Sequence, residues 1–334
     1  MNVRFLCCAL GLTVLVPAAF GQNAAWKTPR TADGKPDLSG FWSNNNATPL
    51  ERPKELAGRA TLTNEELAAM KKKAHELFGG KSDAAFGDSV FVATFENVKG
   101  ERDGFKSVDG QTGDYSSVWT VERDWDNRTS LITDPPDGRI PAMTAKAQVR
   151  RQAVQAAAQR LAEGPEDRSL SERCITYGTP QLTEGYQSQY QIVQSRGALA
   201  VMTEMIHDAR VIPIDGGPHP PTAIEQWRGD SRGHWEGDTL VVDTTNYKPR
   251  AFMSISSGKL HVTEKFTRTG PEVLRYEITI NDPDVWTKPW SLMIPLRRSS
   301  LPVYEYACHE GNEGLAGILA GARAEEAATK GQPN

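Results

Sequence analysis

The second half of the chain is a series of short strand-like segments with no helical segment between them. From residue 189 onward, runs rich in β-branched and alternating apolar residues are separated by turn-rich links. Strands joined by short links pair as antiparallel neighbours, so the pattern predicts a mainly β, antiparallel meander. A barrel and a β-sandwich are both open at this point. The runs lie near residues 189–195, 198–206, 209–214, 239–246, 261–268, 273–281, 290–297 and 303–309.

Residues 229–246, GDSRGHWEGDTLVVDTTN, form the most sharply defined hairpin pattern. Two segments of strand composition flank Glu236-Gly237-Asp238, which is a tight-turn signal. The same stretch is rich in ionisable side chains, among them Asp230, Arg232 and His234. We therefore expect a polar site near this hairpin.

The first half carries helical and irregular segments, interpreted as an insertion at about residues 50–188 in a single β-rich domain spanning 22–334. Thr63-Asn64-Glu65-Glu66 is a capping box and predicts a helix that ends near Phe78. Further helices are expected from Thr144 to about Glu163 and from Glu313 to Lys330, on the outside of the domain. Short strand-like runs lie at residues 90–94, 117–121 and 130–133.

Residues 1–21 have the composition of a secretory signal peptide. Arg4 supplies the positive charge, an apolar run follows, and Ala19-Phe20-Gly21 offers small residues at the cleavage positions. The run is too short to span a bilayer, and no other segment reaches the needed length. We therefore expect a periplasmic or secreted protein without a membrane span.

Removal of the signal peptide leaves two cysteines, Cys174 and Cys308. In an oxidising compartment such a pair predicts one disulfide, and two buried free thiols are the alternative.

The charge balance and the motif content exclude several classes of function. A formal net charge of −4 argues against a nucleic-acid partner, because phosphate binding needs clustered Lys and Arg. The metal spacings H-x-H, H-E-x-x-H and C-x-x-C are absent, as are G-x-S-x-G, a phosphate loop and a dinucleotide fingerprint. No metal or organic cofactor is therefore expected, and a zinc site assembled from histidines on distant strands is the alternative left open.

Strand parity singles out Glu264 and Arg268. In the run 261–268 they share a face with Val262 and Phe266, so they are expected to point inward. A buried carboxylate and guanidinium must be paired or must face a wet pocket. A structural ion pair and a ligand site are both open, and the two side chains are expected to interact directly or through a ligand.

Other candidate residues lie near strand ends. His207, Asp208 and Arg210 lie at the junction of two apolar strands and are expected together at a barrel mouth, and His309 follows Cys308. The candidate catalytic set is His207, Asp208, His234, Glu264, Arg268 and His309. Four tryptophans lie among the charged segments, as in pockets for saccharides or aromatic ligands, although core packing explains any one of them. They are Trp227, Trp235, Trp286 and Trp290.

Two resemblances add to these expectations. Gly40-x-Trp42 in DLSGFW resembles the first strand of lipocalin and related calycin barrels, in which the Trp closes one barrel end. This implies a lipocalin-like or calycin-like barrel with peripheral helices. DLSGFW, EMIHDARVIPIDG, GDSRGHWEGDTLVVDTTN and YEYACHEGN together resemble a family of uncharacterised secreted bacterial proteins, which implies no reaction.

The sequence leaves two functions open, both with a small-molecule partner. The first is an enzyme, a hydrolase or lyase, doing acid–base chemistry (hydrolysis, elimination or isomerisation) on a small glycan or aromatic compound. A His and a carboxylate would exchange the proton, and Arg268 would hold an anionic group. The second is a non-catalytic, lipocalin-like binding protein for a small apolar or aromatic ligand.

Overall fold

A ten-stranded antiparallel sheet, curled into a nearly closed barrel, dominates the computed structural model of this chain. The structure describes residues 26–79, 87–105, 122–182, 186 and 188–330. The strands are β1 Gly40–Ser43, β2 Ile132–Asp134, β3 Gln189–Gln194, β4 Ala198–Thr203, β5 Ala209–Pro213, β6 Asp230–Glu236, β7 Thr239–Thr245, β8 His261–Gly270, β9 Val273–Asn281 and β10 Trp290–Arg298. The helices are α1 Asn64–Phe78, α2 Ser89–Lys99, α3 Ala145–Ala158 and α4 Glu313–Lys330. The expected mainly β barrel with peripheral helices is confirmed.

The strand order explains why the barrel is nearly rather than fully closed. Hydrogen-bonded neighbours run β5-β4-β3-β1-β10-β9-β8-β7-β6, and β2 adds to β10. The two terminal strands, β5 and β6, share no ladder in the part of the chain that the structure describes. They nevertheless touch, because a methyl group added at Gly233 on β6 would lie 3.3 Å from Ile212 on β5. Side chains rather than backbone ladder bonds therefore close this seam.

The inward face of the barrel follows the alternation read from the sequence. Along β8, Val262, Glu264, Phe266 and Arg268 are all buried, whereas Lys265 between them is exposed. The predicted face assignment of Glu264 and Arg268 is confirmed. Residues also alternate between buried and less buried positions along the neighbouring strand β9, and its four inward residues belong to the main core. They are Leu274, Tyr276, Ile278 and Ile280.

The register gives the barrel two distinct ends. The Trp42 end holds Trp42 and the turns that follow β3, β6 and β8. The β4–β5 end holds the turn at residues 204–208 and the longer links at 246–260 and 282–289. Trp42 is fully buried and donates its indole N–H to the Leu38 carbonyl at 3.0 Å. A tryptophan at one barrel end is what the lipocalin resemblance implied.

The helical predictions are largely confirmed. The capping box at Thr63 forms in both directions, with Glu66 as the reciprocal partner, and α1 ends at Phe78 as expected. Thr144 caps α3 as predicted, although that helix ends at Ala158 rather than near Glu163. The last helix, α4, has the predicted bounds. No helix of the described residues combines the length and the apolar character needed to cross a bilayer.

Two predicted strands are wrong. Residues 90–94 lie in α2, where Val90, Phe91 and Thr94 are buried on one helical face. A short apolar run does not distinguish a strand from a buried helix, and packing decided here. The expected strand at 303–309 is irregular. Side chains, rather than a neighbouring strand, form hydrogen bonds with its backbone groups. Glu204 accepts from the Tyr304 N–H at 3.2 Å, for example.

The remaining local predictions have mixed outcomes. The run at 130–133 overlaps β2. Cys174 and Cys308 form the predicted disulfide. The predicted strand at 117–121 and the signal peptide at 1–21 lie outside the described residues.

Candidate functional site

A fully buried carboxylate, that of Glu264, is the centre of a polar cluster inside the barrel. Arg210 on β5 binds it with two hydrogen bonds, Nη1 to Oε2 at 2.5 Å and Nη2 to Oε1 at 2.8 Å. The Tyr276 hydroxyl on β9 donates to Oε1 at 2.5 Å. Ser231 on β6 lies 3.3 Å from Arg210 Nη1. The barrel therefore brings four strands together around one bidentate ion pair.

Burial and the ion pair set the protonation states in this cluster. Burial of the Arg210 guanidinium acts to lower its pKa, but the charge and hydrogen bonds of Glu264 outweigh this and the pKa ends above its ordinary value. Burial, with the charge of Glu264 added, raises the pKa of Tyr276 well above its ordinary value. The neighbouring Tyr247 has a raised pKa for the same two reasons. Arg210 is therefore charged and both tyrosines are neutral near pH 7.

A small cavity adjoins this cluster at the β4–β5 end. Its volume is about 30 Å³, enough for a water molecule or two or for one small chemical group. Its apolar and aromatic lining consists of Tyr190, Val201, Phe266 and Tyr276. The Phe266 and Tyr276 rings are stacked with centroids 4.5 Å apart.

Polar and charged side chains also line the cavity. Asp208, Arg210, Arg228 and Thr203 line it. Arg228 Nη1 donates to the Ala209 carbonyl at 2.5 Å and lies 3.6 Å from Asp208 Oδ1. The other Asp208 oxygen, Oδ2, accepts from the Thr176 hydroxyl at 2.6 Å. Both signs of charge therefore stand side by side at this wall.

One chain segment bounds the cavity from outside the sheet. We call residues 174–182 the strap, of which residues 178–181 line the cavity. The strap is tied to the C-terminal region by the Cys174–Cys308 disulfide. It is tied to the barrel by the Thr176–Asp208 hydrogen bond and by the Tyr190 hydroxyl, which donates to the Gln181 carbonyl at 2.8 Å. The cavity therefore has a wall that is anchored covalently at one end.

Of the six predicted site residues, Asp208 lines the cavity, and Glu264 pairs with Arg210, which also lines it. Arg268 lies at the Trp42 end, where it donates to the Asp37 carbonyl at 2.9 Å and its guanidinium lies 5.6 Å from the centre of the Trp42 ring. Glu264 is paired with Arg210 instead, so the direct form of the predicted Glu264–Arg268 interaction does not occur.

The three predicted histidines lie on the outside of the molecule. His207 is exposed, and its Nδ1 donates to the Tyr306 carbonyl at 2.8 Å. His234 is exposed on the outer face of β6, with Nε2 3.1 Å from Glu236 Oε1. His309 is exposed next to the disulfide. No histidine among the described residues lines the cavity.

Sequence reasoning missed Arg228 and the strap. Arg228 lies in the irregular link between β5 and β6, where no periodicity indicates a direction for the side chain. Arg210 carried a usable signal, because it alternates with the exposed Ala209 and Val211 on β5 and so shares the inward face with Ile212. That alternation predicts a second inward-facing charge but not its partner.

A second polar cluster lies on the outer face of β6, β7 and β8. His219 bridges two carboxylates, with Nδ1 2.7 Å from Asp230 Oδ1 and Nε2 2.9 Å from Asp243 Oδ2. His261 Nε2 contacts the other oxygen of Asp243. Within the described residues, no group of three or more His, Cys, Asp or Glu side chains is arranged to hold a metal ion.

Comparisons with protein-family models, with curated proteins and with solved structures gave no match to this chain. The fold and the site define its class: a nearly closed antiparallel β-barrel, compatible with lipocalin-like architecture, with a buried ion pair beside a small cavity at one end.

Proposed function

We propose that this protein is a small-molecule-binding β-barrel, which holds part of its ligand in the cavity at the β4–β5 end. The cavity carries the proposal, because a lining of aromatic and apolar faces with a few polar and charged groups is the usual composition of a ligand site. Its small volume means that one chemical group of the ligand enters the barrel while the rest stays at the mouth.

The burial and the hydrogen bonds of Glu264 favour binding over acid–base catalysis at the buried cluster. Its carboxylate accepts three hydrogen bonds, two from Arg210 and one from Tyr276, and it is fully buried. A carboxylate that is fully buried and already accepts three hydrogen bonds has no exposed face from which to take a ligand proton. Glu264 therefore serves to fix Arg210 and Tyr276 in the cavity wall.

Acid–base catalysis is a second candidate, and Asp208 is the residue that favours it. This half-buried carboxylate is at the cavity wall, and one of its oxygens is 3.6 Å from the nearest guanidinium nitrogen. That distance is longer than a hydrogen bond, so the oxygen has capacity to take a proton from a ligand. If the protein is an enzyme, Asp208 is the general base, and neither His207 nor His309 takes part.

We also propose that the chain acts in the periplasm or outside the cell. The Cys174–Cys308 disulfide supports this location, because structural disulfides persist in oxidising compartments.

Saturation-transfer NMR on the exported protein tests the binding proposal with a panel of methyl glycosides and small aromatic compounds. Val201→Phe fills the cavity from β4, and Val211→Phe adds the same ring on the exposed outer face of β5. We expect at least one probe to bind the parent protein and Val211→Phe, and to lose binding in Val201→Phe. If no probe depends on Val201, the site is not a ligand site.

The same probes separate binding from catalysis. A binding protein returns each bound probe unchanged after prolonged incubation, as measured by one-dimensional NMR. Conversion of a probe that is abolished by Asp208→Asn but retained by Asp238→Asn, at the other end of the barrel, would favour the enzyme instead.

A further inference from the structure

The charges around the cavity are balanced at close range. Arg210 is neutralised by Glu264 behind it, and Arg228 stands opposite Asp208. A carboxylate entering the cavity would be repelled by Asp208, and an ammonium group would be repelled by Arg228. The Asp208 side chain is largely buried and that of Arg228 is about two-thirds buried, so an uncompensated charge between them is costly. The wall therefore discriminates against ligand groups that carry a net charge.

The same wall offers both a free acceptor and free donors. Asp208 Oδ1 accepts no hydrogen bond from the described residues, because Arg228 Nη1 is too distant and donates to the Ala209 carbonyl instead. Arg228 Nε and Nη2 have no hydrogen-bond partner among those residues either. A guanidinium carries five donors, and a carboxylate accepts about four hydrogen bonds, so both side chains have capacity left for a ligand.

We propose that the ligand presents neighbouring hydroxyl groups, as a sugar or another polyol does; this rests on the proposed binding function. One hydroxyl donates to Asp208 Oδ1, and its neighbour accepts from Arg228. An uncharged group that donates and accepts in adjacent positions satisfies both side chains without adding charge to the wall.

The aromatic side of the cavity fits the same ligand. The Phe266 and Tyr276 rings supply flat apolar surface in the same cavity as the two charged groups, suited to the C–H face of a sugar ring. About 30 Å³ admits one edge of a ring rather than a whole disaccharide. The ligand is therefore a terminal sugar or a small polyol, held by one edge.

Titrations followed by saturation-transfer NMR test the charge class with three probe sets: methyl glycosides of glucose, galactose, mannose and xylose together with glycerol; benzoate; and benzylamine. We expect at least one polyol probe to bind in a manner abolished by Val201→Phe. Benzoate and benzylamine should bind at least tenfold more weakly.

Asp208→Asn sharpens the test, because asparagine can still accept the hydrogen bond from Thr176 while its negative charge is gone. We expect a loss of at least tenfold for the polyol and a gain for benzoate, since Arg228 is then unbalanced. Asp238→Asn at the Trp42 end should change neither affinity.

The outcomes distinguish this inference from the proposed function. Cavity-dependent binding of benzoate or benzylamine, with no polyol binding, overturns the polyol class and leaves the binding function standing. Polyol binding that is unchanged in Asp208→Asn also overturns the inference. If none of the three probe sets depends on Val201, both proposals fail.

Discussion

The two ends of the barrel use the same strand in opposite ways. Arg268 and Glu264 both point inward from β8, four residues apart, and both are at least nine-tenths buried. At the Trp42 end, Arg268 donates to two backbone carbonyls and lies over an indole. At the β4–β5 end, Glu264 pairs with Arg210 beside a cavity. An inward-facing charged side chain can thus fill the end of a barrel or lie beside a cavity, and the residues around it determine which of the two occurs.

The Trp42 end is filled by cations and rings without a carboxylate salt bridge to Arg268 among the described residues. Burial, with the charge of Arg298 added, lowers the pKa of Arg268 below its ordinary value. The Arg298 guanidinium also lies 5.8 Å from the centre of the Trp42 ring. Gly40 adopts a φ of 136°, a backbone conformation that favours glycine, and the Arg298 guanidinium lies close to it at ordinary contact distance. Packing and hydrogen bonds to backbone carbonyls, not a charge pair, hold Arg268 at this end.

The largest expected effect is at the β4–β5 end. Glu264→Ala leaves the Arg210 guanidinium buried without its counter-ion. Breaking a buried pair in this way costs about 3–5 kcal/mol of unfolding free energy. Urea denaturation followed by circular dichroism measures it.

Glu277→Ala is the matched control for Glu264→Ala. Glu277 pairs with Arg275 on the solvent side of β9, so its removal should cost no more than about 1 kcal/mol. Equal losses for the two variants would mean that the Arg210–Glu264 pair contributes no more than a surface ion pair.

A smaller effect is expected at the Trp42 end. Arg268→Ala removes two hydrogen bonds to carbonyls and a cation–π contact but leaves no buried opposite charge without a partner. We therefore expect the free energy of unfolding to fall by about 1–3 kcal/mol. Lys265→Ala, from the exposed face of the same strand, should stay within about 0.5 kcal/mol of the parent. A loss for Arg268→Ala that exceeds that of Glu264→Ala would reverse the comparison between the two ends.

The smallest effect is expected on the outside of the barrel, in the cluster around Asp230. Burial opposes the shift, but hydrogen bonds from Arg232 and His219 lower the pKa of Asp230 below its ordinary value. A lowered folded-state pKa gives stability that is present above the unfolded value of about 4 and is lost as the pH falls through the folded value. Asp230→Asn should cost about 1 kcal/mol at pH 7.

The pH profile provides the check on Asp230. Unfolding free energies measured from pH 7 down to pH 2 should fall more steeply below pH 4 for the parent than for Asp230→Asn. Parallel profiles would show that the outer cluster does not stabilise the carboxylate.

Much of the architecture was predictable from local sequence, because local physics decides it. The period of two along β8 and β9 set the inward faces, including those of Glu264 and Arg268. Thr63 and Glu66 marked the start of α1, since a capping box needs only residues three apart. The two cysteines beyond the proposed signal peptide left one possible pairing between them.

The site itself was decided by tertiary structure. Arg210 is 54 residues from Glu264 along the chain, and the two meet only because β5 and β8 face each other across a nearly closed barrel. Arg228 reaches the cavity from a link without periodicity, and the strap reaches it from outside the sheet. Alternation along a strand determines which face a side chain takes, but strand order and barrel closure determine what it meets there. The sequence alone therefore predicted that Glu264 would be buried, and only the folded chain decided that its partner is Arg210 rather than Arg268.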